Sequence, residues 1–218
     1  PLESQMKYLC ADLQLQNAIE SSDRSQTDQR VRPWMFLILQ LGILWSMAGH
    51  NKGIFIVRDG ALIPRIADRE HVTPGELPPD AGHAIAKMRS LGYTIFVITN
   101  HEPVAHGDLK ETKLEDLHCE LVCAVSELDS MAFVDGVYYC VHHPTAKLED
   151  YREDCDCRIP KPGLLEKAAG DFSVDLARSF VVGDHPSAVV AGHLAGARSI
   201  LIRGPGNDLP PIESSLRY

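Results

Sequence analysis

The residues with the plainest chemistry are Cys140 and His142 and, fifteen positions after that cysteine, Cys155 and Cys157. Each pair has its members two positions apart. In extended or tightly turning backbone such side chains project to one side, so each pair can grip an ion like a claw. Together they offer three sulfurs and one imidazole nitrogen, the donor set of a closed tetrahedral zinc site. The loop between them carries Lys147, Glu149, Asp150, Arg152, Glu153 and Asp154 with little apolar material, so a bound ion would stand in for the missing core. A disulfide is the alternative, and it needs an oxidising compartment. With no position left open, the expected zinc is structural.

At 218 residues, 44% of them hydrophobic, the chain can bury the core of one medium domain plus an appendage. A net charge of -9 argues against nucleic acid as a partner, because phosphate backbones reward clustered Lys and Arg. Three of the six cysteines belong to the ion pattern, which suits the cytoplasm or another reducing compartment. The remaining thiols, Cys10, Cys119 and Cys123, read as buried or incidental, with Cys119 and Cys123 spaced as neighbours on one helical face.

Residues 1–52 read as an N-terminal extension: a helix over 6–18, a polar linker over 20–32, then an apolar run from Trp34 to Ala48. As a helix that run reaches about 22 Å, short of the roughly 30 Å hydrocarbon core of a bilayer. Burial against the domain or in a subunit contact is therefore preferred over membrane contact, and a monotopic anchor is left open.

From Gly53 the chain alternates. Strands are expected at 54–57, 93–99, 179–182 and 199–202, and helices at 79–91, 108–131, 162–169 and 188–195, with a hairpin over 133–139 turning at Asp135-Gly136. Alternation of this kind implies an α/β fold, a Rossmann-like parallel sheet flanked by helices, over residues 53–204, with 205–218 as a surface tail. Ligands on such sheets bind beyond the carboxyl ends of the strands. Arg58 and Asp59 follow the first strand, Thr99 and Asn100 the second, and Asp184 the third core strand, while Arg158 and Lys161 come from the metal loop. A hydroxyl, an amide, cations and two acids on one rim suit a phosphate held beside a divalent cation.

These residues resemble the haloacid dehalogenase (HAD) superfamily of phosphatases, and within it the heptose bisphosphate phosphatase group, close to the histidinol-phosphatase domain. The resemblance rests on C-x-H-H-P from Cys140 and C-D-C-R-x-P-K-P-G from Cys155. Val97-Ile98-Thr99-Asn100, Val181-Val182-Gly183-Asp184, Ala191-Gly192 and Ala195-Gly196 match as well. It implies a HAD sandwich with a zinc-stapled loop in place of a large cap. It also implies a D-R-D-G-T motif after the first strand, whose first Asp attacks phosphorus and whose second is the acid and base.

Here that motif stands as Val57-Arg58-Asp59-Gly60-Ala61. An isopropyl group has no lone pair with which to attack or to hold magnesium. Asp59 is the retained acid–base position. Arg58, Thr99, Asn100, Arg158 and Lys161 are the implied phosphate-binding residues, and Asp59 with Asp184 a residual magnesium site. Ala61 replaces the family's Thr, His101 a Gln, Ile159 the lysine of C-R-K-P, His185 the lysine of G-D-K and Ala188 a second acid. Lys161, two positions after Ile159, is a partial substitute.

The expectation is a catalytically inactive homologue acting as a structural or binding subunit. Its zinc is kept, its magnesium is weak or absent, and the run from Trp34 to Ala48 joins a protein partner or a second copy. The alternatives are a magnesium-dependent sugar-phosphate phosphatase working through Asp59, and a phosphosugar sensor using Thr99, Asn100 and Arg158.

Overall fold

The computed structural model describes residues 52–63 and 71–202. The segments expected over 6–18, 20–32, 34–48 and 205–218 lie outside the described residues. Five strands, β1 (Gly53–Val57), β2 (Thr94–Asn100), β3 (Gly136–Cys140), β4 (Phe180–Gly183) and β5 (Arg198–Leu201), form one parallel sheet in the order β3-β2-β1-β4-β5. Around it lie α1 (Ala81–Ser90), α2 (Glu102–His106), α3 (Glu111–Leu128), α4 (Gly163–Phe172) and α5 (Pro186–Leu194).

The strand residues alternate between two cores. Ile54, Ile56, Ile95 and Val97 pack in one cluster with Ile85 of α1 and Leu117 and Leu121 of α3. Phe55, Phe96, Ile98 and Val181 pack in the other with Leu164 and Leu165 of α4 and Ala188 and Ala191 of α5. Phe55 and Phe96 stack at 4.9 Å between ring centroids. A sheet covered on both faces has no polar side, which is why its strands read as unbroken apolar runs.

The expected hairpin is not formed. Only the segment after Asp135 is a strand, and β3 runs parallel to β2, with Phe96 opposite Gly136. Asp135 works as a clamp instead of a turn: its carboxylate accepts from the Ile95 backbone N–H at 2.8 Å and pairs with Arg89 at 2.5 Å. The long helix expected over 108–131 is α3 alone, with α2 standing apart before it and ending at Gly107. Of the two thiols on α3, Cys119 is half-buried and Cys123 is exposed. Among the described residues no helix is long and apolar enough to cross a membrane.

Strand order reverses between β1 and β4: β2 and β3 lie to one side of β1, β4 and β5 to the other. The crevice beyond the carboxyl ends of β1 and β4 is the ligand-binding position of open parallel sheets. Val57 and Gly183 end those two strands.

Candidate functional site

Cys140 closes β3, and the loop after it returns Cys155 and Cys157 to the same point. The three sulfurs lie 3.0, 3.2 and 3.4 Å apart, and His142 Nδ1 lies 3.5 Å from Cys157 Sγ and 3.9 Å from Cys140 Sγ. A disulfide would bring two sulfurs to about 2.05 Å. None of the described cysteines is in a disulfide. A tetrahedral ion bound through sulfur at about 2.3 Å sets its ligands about 3.5–3.8 Å apart, slightly wider than the spacing of this cluster. The Cys157 thiol is pushed up by its contact with Cys140 and by burial, and burial pushes the Cys155 thiol up as well. A soft cation would replace these protons and hold the thiolates. The donor set fits.

Two polar clamps fix the loop beside β2. Asn100 donates to the Ile159 carbonyl at 2.8 Å and accepts from the Ile159 N–H at 3.0 Å. Arg158 donates to the His142 carbonyl at 3.1 Å and pairs with Glu102 at the start of α2. Lys161 turns away to Asp154 at 2.8 Å and Asp156 at 3.7 Å, and the first of these contacts raises its pKa.

Arg58 is buried, and its guanidinium forks the Asp59 carboxylate, with Nη2 2.8 Å and Nε 3.2 Å from Oδ2. Thr99 Oγ1 donates to the same oxygen at 2.9 Å. The guanidinium also reaches His101 Nδ1 at 2.9 Å and His118 Nε2 at 3.3 Å. Arginine has no acceptor, so both imidazole nitrogens must accept, which fixes both rings neutral. Burial and then the Arg58 charge push His101 down to about 4, against the opposing pull of Asp59. His118 is pushed down by burial, then by Arg58 and His101, and its Nδ1 is buried without a hydrogen-bond partner.

Acidification should therefore weaken this chain. Between about pH 6.5 and 4 the unfolded His101 takes up a proton that the folded one refuses, so stability falls through that window and is flat above it. A shift of this size corresponds to at most about 3 kcal/mol. Urea midpoints against pH, compared with His101→Gln, check this: the variant should lose much of the slope, and an unchanged slope would refute the assignment.

Asp184 is buried beyond β4. Its carboxylate lies over Gly60, where φ is +87° and an added Cβ would sit 2.0 Å from Asp184 Oδ2. Only glycine makes that turn. Among the described residues, the groups of three or more potential metal ligands are Cys140/His142/Cys155/Cys157 and Glu102/His106/His143; neither contains Asp59 or Asp184. The Asp59 carboxylate is engaged by Arg58 and Thr99. His185 caps α5, where its Nδ1 accepts from the Ser187 N–H at 3.2 Å.

Val57 and Ala188 meet across Gly183. An added Cβ on Gly183 would lie 2.5 Å from the Ala188 Cβ and 3.2 Å from Val57 Cγ2. The side chains on either side of Gly183 are thus both apolar. Sequence reasoning missed Glu102 and His118. An acid two residues after Thr99-Asn100 was a visible signal for the first. A lone histidine among the leucines of α3 gave none for the second.

A parallel sheet of this order, with acids after β1 and β4 and a Cys/His loop after β3, places the chain in the α/β class with its candidate site at the carboxyl ends of the strands. A family model described as HAD-hydrolase-like matches residues 156–210. The D-glycero-beta-D-manno-heptose-1,7-bisphosphate 7-phosphatase of Salmonella typhi is 33% identical over 138 residues, 63% of this chain and 72% of the relative. That of Haemophilus ducreyi is 31% identical over 154 residues, 70% and 84%. A HAD-like protein structure from Mesorhizobium loti superposes with a TM-score of 0.62 at 27% identity, covering 77% of this chain and 83% of that one. The chain belongs to the haloacid dehalogenase superfamily, in the family of the heptose bisphosphate phosphatases.

Proposed function

We propose that this chain is a phosphatase homologue without turnover, serving as a binding or structural subunit whose loop is held by zinc. The observation that carries this reading is the pair of apolar side chains, Val57 and Ala188, that flank Gly183. The resemblance puts a nucleophilic carboxylate at the first of this pair and a second acid at the other. Both are hydrocarbon here, and Ala188 is part of the apolar cluster. Asp59, the remaining acid–base position, is tied to Arg58 and Thr99. Tight magnesium binding is not expected from this set.

Removing the covalent nucleophile of a serine protease leaves roughly 10³–10⁴-fold catalysis over water. Phosphate monoester hydrolases reach up to about 10²¹-fold, so an equivalent residue of activity would be invisible. The cluster of three thiols and one imidazole supports zinc as the ion, through the softness of its donors. The run from Trp34 to Ala48 is the segment we assign to contact with a partner or a second copy.

The test has two parts: phosphate release from heptose bisphosphate with magnesium, and native mass in extract. The reading expects no turnover and an assembly larger than the monomer. Turnover at ordinary enzymatic rates, or a monomer only, would count against its respective half.

A further inference from the structure

Each cation that the resemblance assigns to phosphate is met by an acid of the same chain. Arg58 pairs with Asp59, Lys161 with Asp154 and Asp156, and Arg158 with Glu102. The three pairs differ in depth. Arg58 is buried beneath the crevice and the carboxylates that hold Lys161 are exposed, whereas the Arg158 side chain is 18% exposed and that of Glu102 50%. Arg158 Nη2 meets Glu102 Oε1 while Nη1 donates to the His142 carbonyl, and His143 Nε2 lies 3.8 Å from the same Glu102 oxygen. A guanidinium receives carboxylate and phosphate oxygens in the same planar geometry, so what one occupies the other cannot take.

We propose that Glu102 is a built-in anion occupying the phosphate-binding face of Arg158, so that the chain itself closes its rim to phosphate monoesters. The proposal rests on the reading of Arg158 as the phosphate-facing cation. A tethered carboxylate competes at an effective concentration on the order of millimolar or above, which a dilute free anion does not match. The tether is short, because Glu102 stands two residues beyond the end of β2 and opens α2. Arg158 is held by the metal loop, whose Ile159 is bridged to Asn100 at the end of the same strand. Both partners are therefore placed by rigid elements, and little ordering is left to oppose their pairing.

The experiment titrates inorganic phosphate into the full-length, metal-loaded chain, followed by phosphorus NMR and calorimetry. It compares the unmodified protein, Glu102→Gln, and Glu102→Gln combined with Arg158→Ala. Circular dichroism confirms that each is folded, and Glu102→Ser supplies the same loss of charge should the glutamine variant not fold. The proposal expects affinity in Glu102→Gln to rise about tenfold or more, and the gain to vanish in the double variant. It is overturned if the single variant binds phosphate no more tightly than the unmodified chain, as it would if Glu102 were only a latch between α2 and the loop. It is equally overturned if the gain survives without Arg158. Turnover is not read, so failure here leaves the assignment of Val57 untouched, and activity in the unmodified chain would leave this result standing.

Discussion

Stripping the ion from Cys140, His142, Cys155 and Cys157 should unfold the loop between β3 and α4 and remove most of the domain's stability. Apparent zinc binding to structural sites is worth about 10–16 kcal/mol, against about 5–15 kcal/mol for a whole domain. The loop has little to replace it with. Lys147, Glu149, Asp150, Arg152, Glu153 and Asp154 are exposed, and Val141, Ala146 and Ile159 are the buried apolar residues that accompany the cysteines. The Asn100 and Arg158 clamps remain, at about 1–3 kcal/mol each, too little to compensate. Metal analysis should find one zinc per chain. Cys155→Ser should lose it and unfold at markedly lower urea, and chelator should do the same to the unmodified protein. Indifference to chelator would overturn the metal assignment.

Breaking the buried pair beside the crevice should be nearly as damaging. Arg58→Met leaves Asp59 without its fork and leaves two buried imidazole acceptors unfilled, which should cost about 3 kcal/mol. The lower end of the usual range applies because the Asp59 side chain is 28% exposed. Asp59→Asn should cost a similar amount, about 3 kcal/mol, since the amide still accepts from Arg58 and Thr99 but leaves the more deeply buried Arg58 charge uncompensated. The double variant should cost distinctly less than the sum, because neither residue is then left with an uncompensated charge. Denaturant unfolding of the four proteins reads this directly. Strict additivity would mean that the pair is not a unit and that Asp59 is held by something else.

The fold was legible where hydrophobicity settles it. Ile54 to Val57 and Thr94 to Thr99 are β-branched runs that suit only a strand buried on both faces, and the alternation of strands with helices gave the parallel sheet. Asp135-Gly136 misled because its local pattern is that of a hairpin turn, whereas the Asp135 side chain is recruited by Ile95 and Arg89, distant in sequence. The convergence of Cys140, His142, Cys155 and Cys157 was legible because two short-range spacings carry it.

The pairing of the residues expected to hold phosphate was not. Arg58, Asn100, Arg158 and Lys161 were singled out by motif, but that Asn100 meets Ile159 and Arg158 meets Glu102 becomes visible only when loops and strand ends are brought together. His118 illustrates the same limit: it sits on the buried face of α3 with Leu114, Leu117 and Leu121, and only the fold brings Arg58 to it.

The central claim is that the apolar side chains of Val57 and Ala188 have ended catalysis, and the most direct measurement is magnesium-dependent phosphate release from heptose bisphosphate by the unmodified chain beside its Val57→Asp variant. The account predicts silence from the unmodified chain, with any activity confined to the variant. Turnover by the unmodified chain within the ordinary range of about 1–10³ s⁻¹ would contradict it.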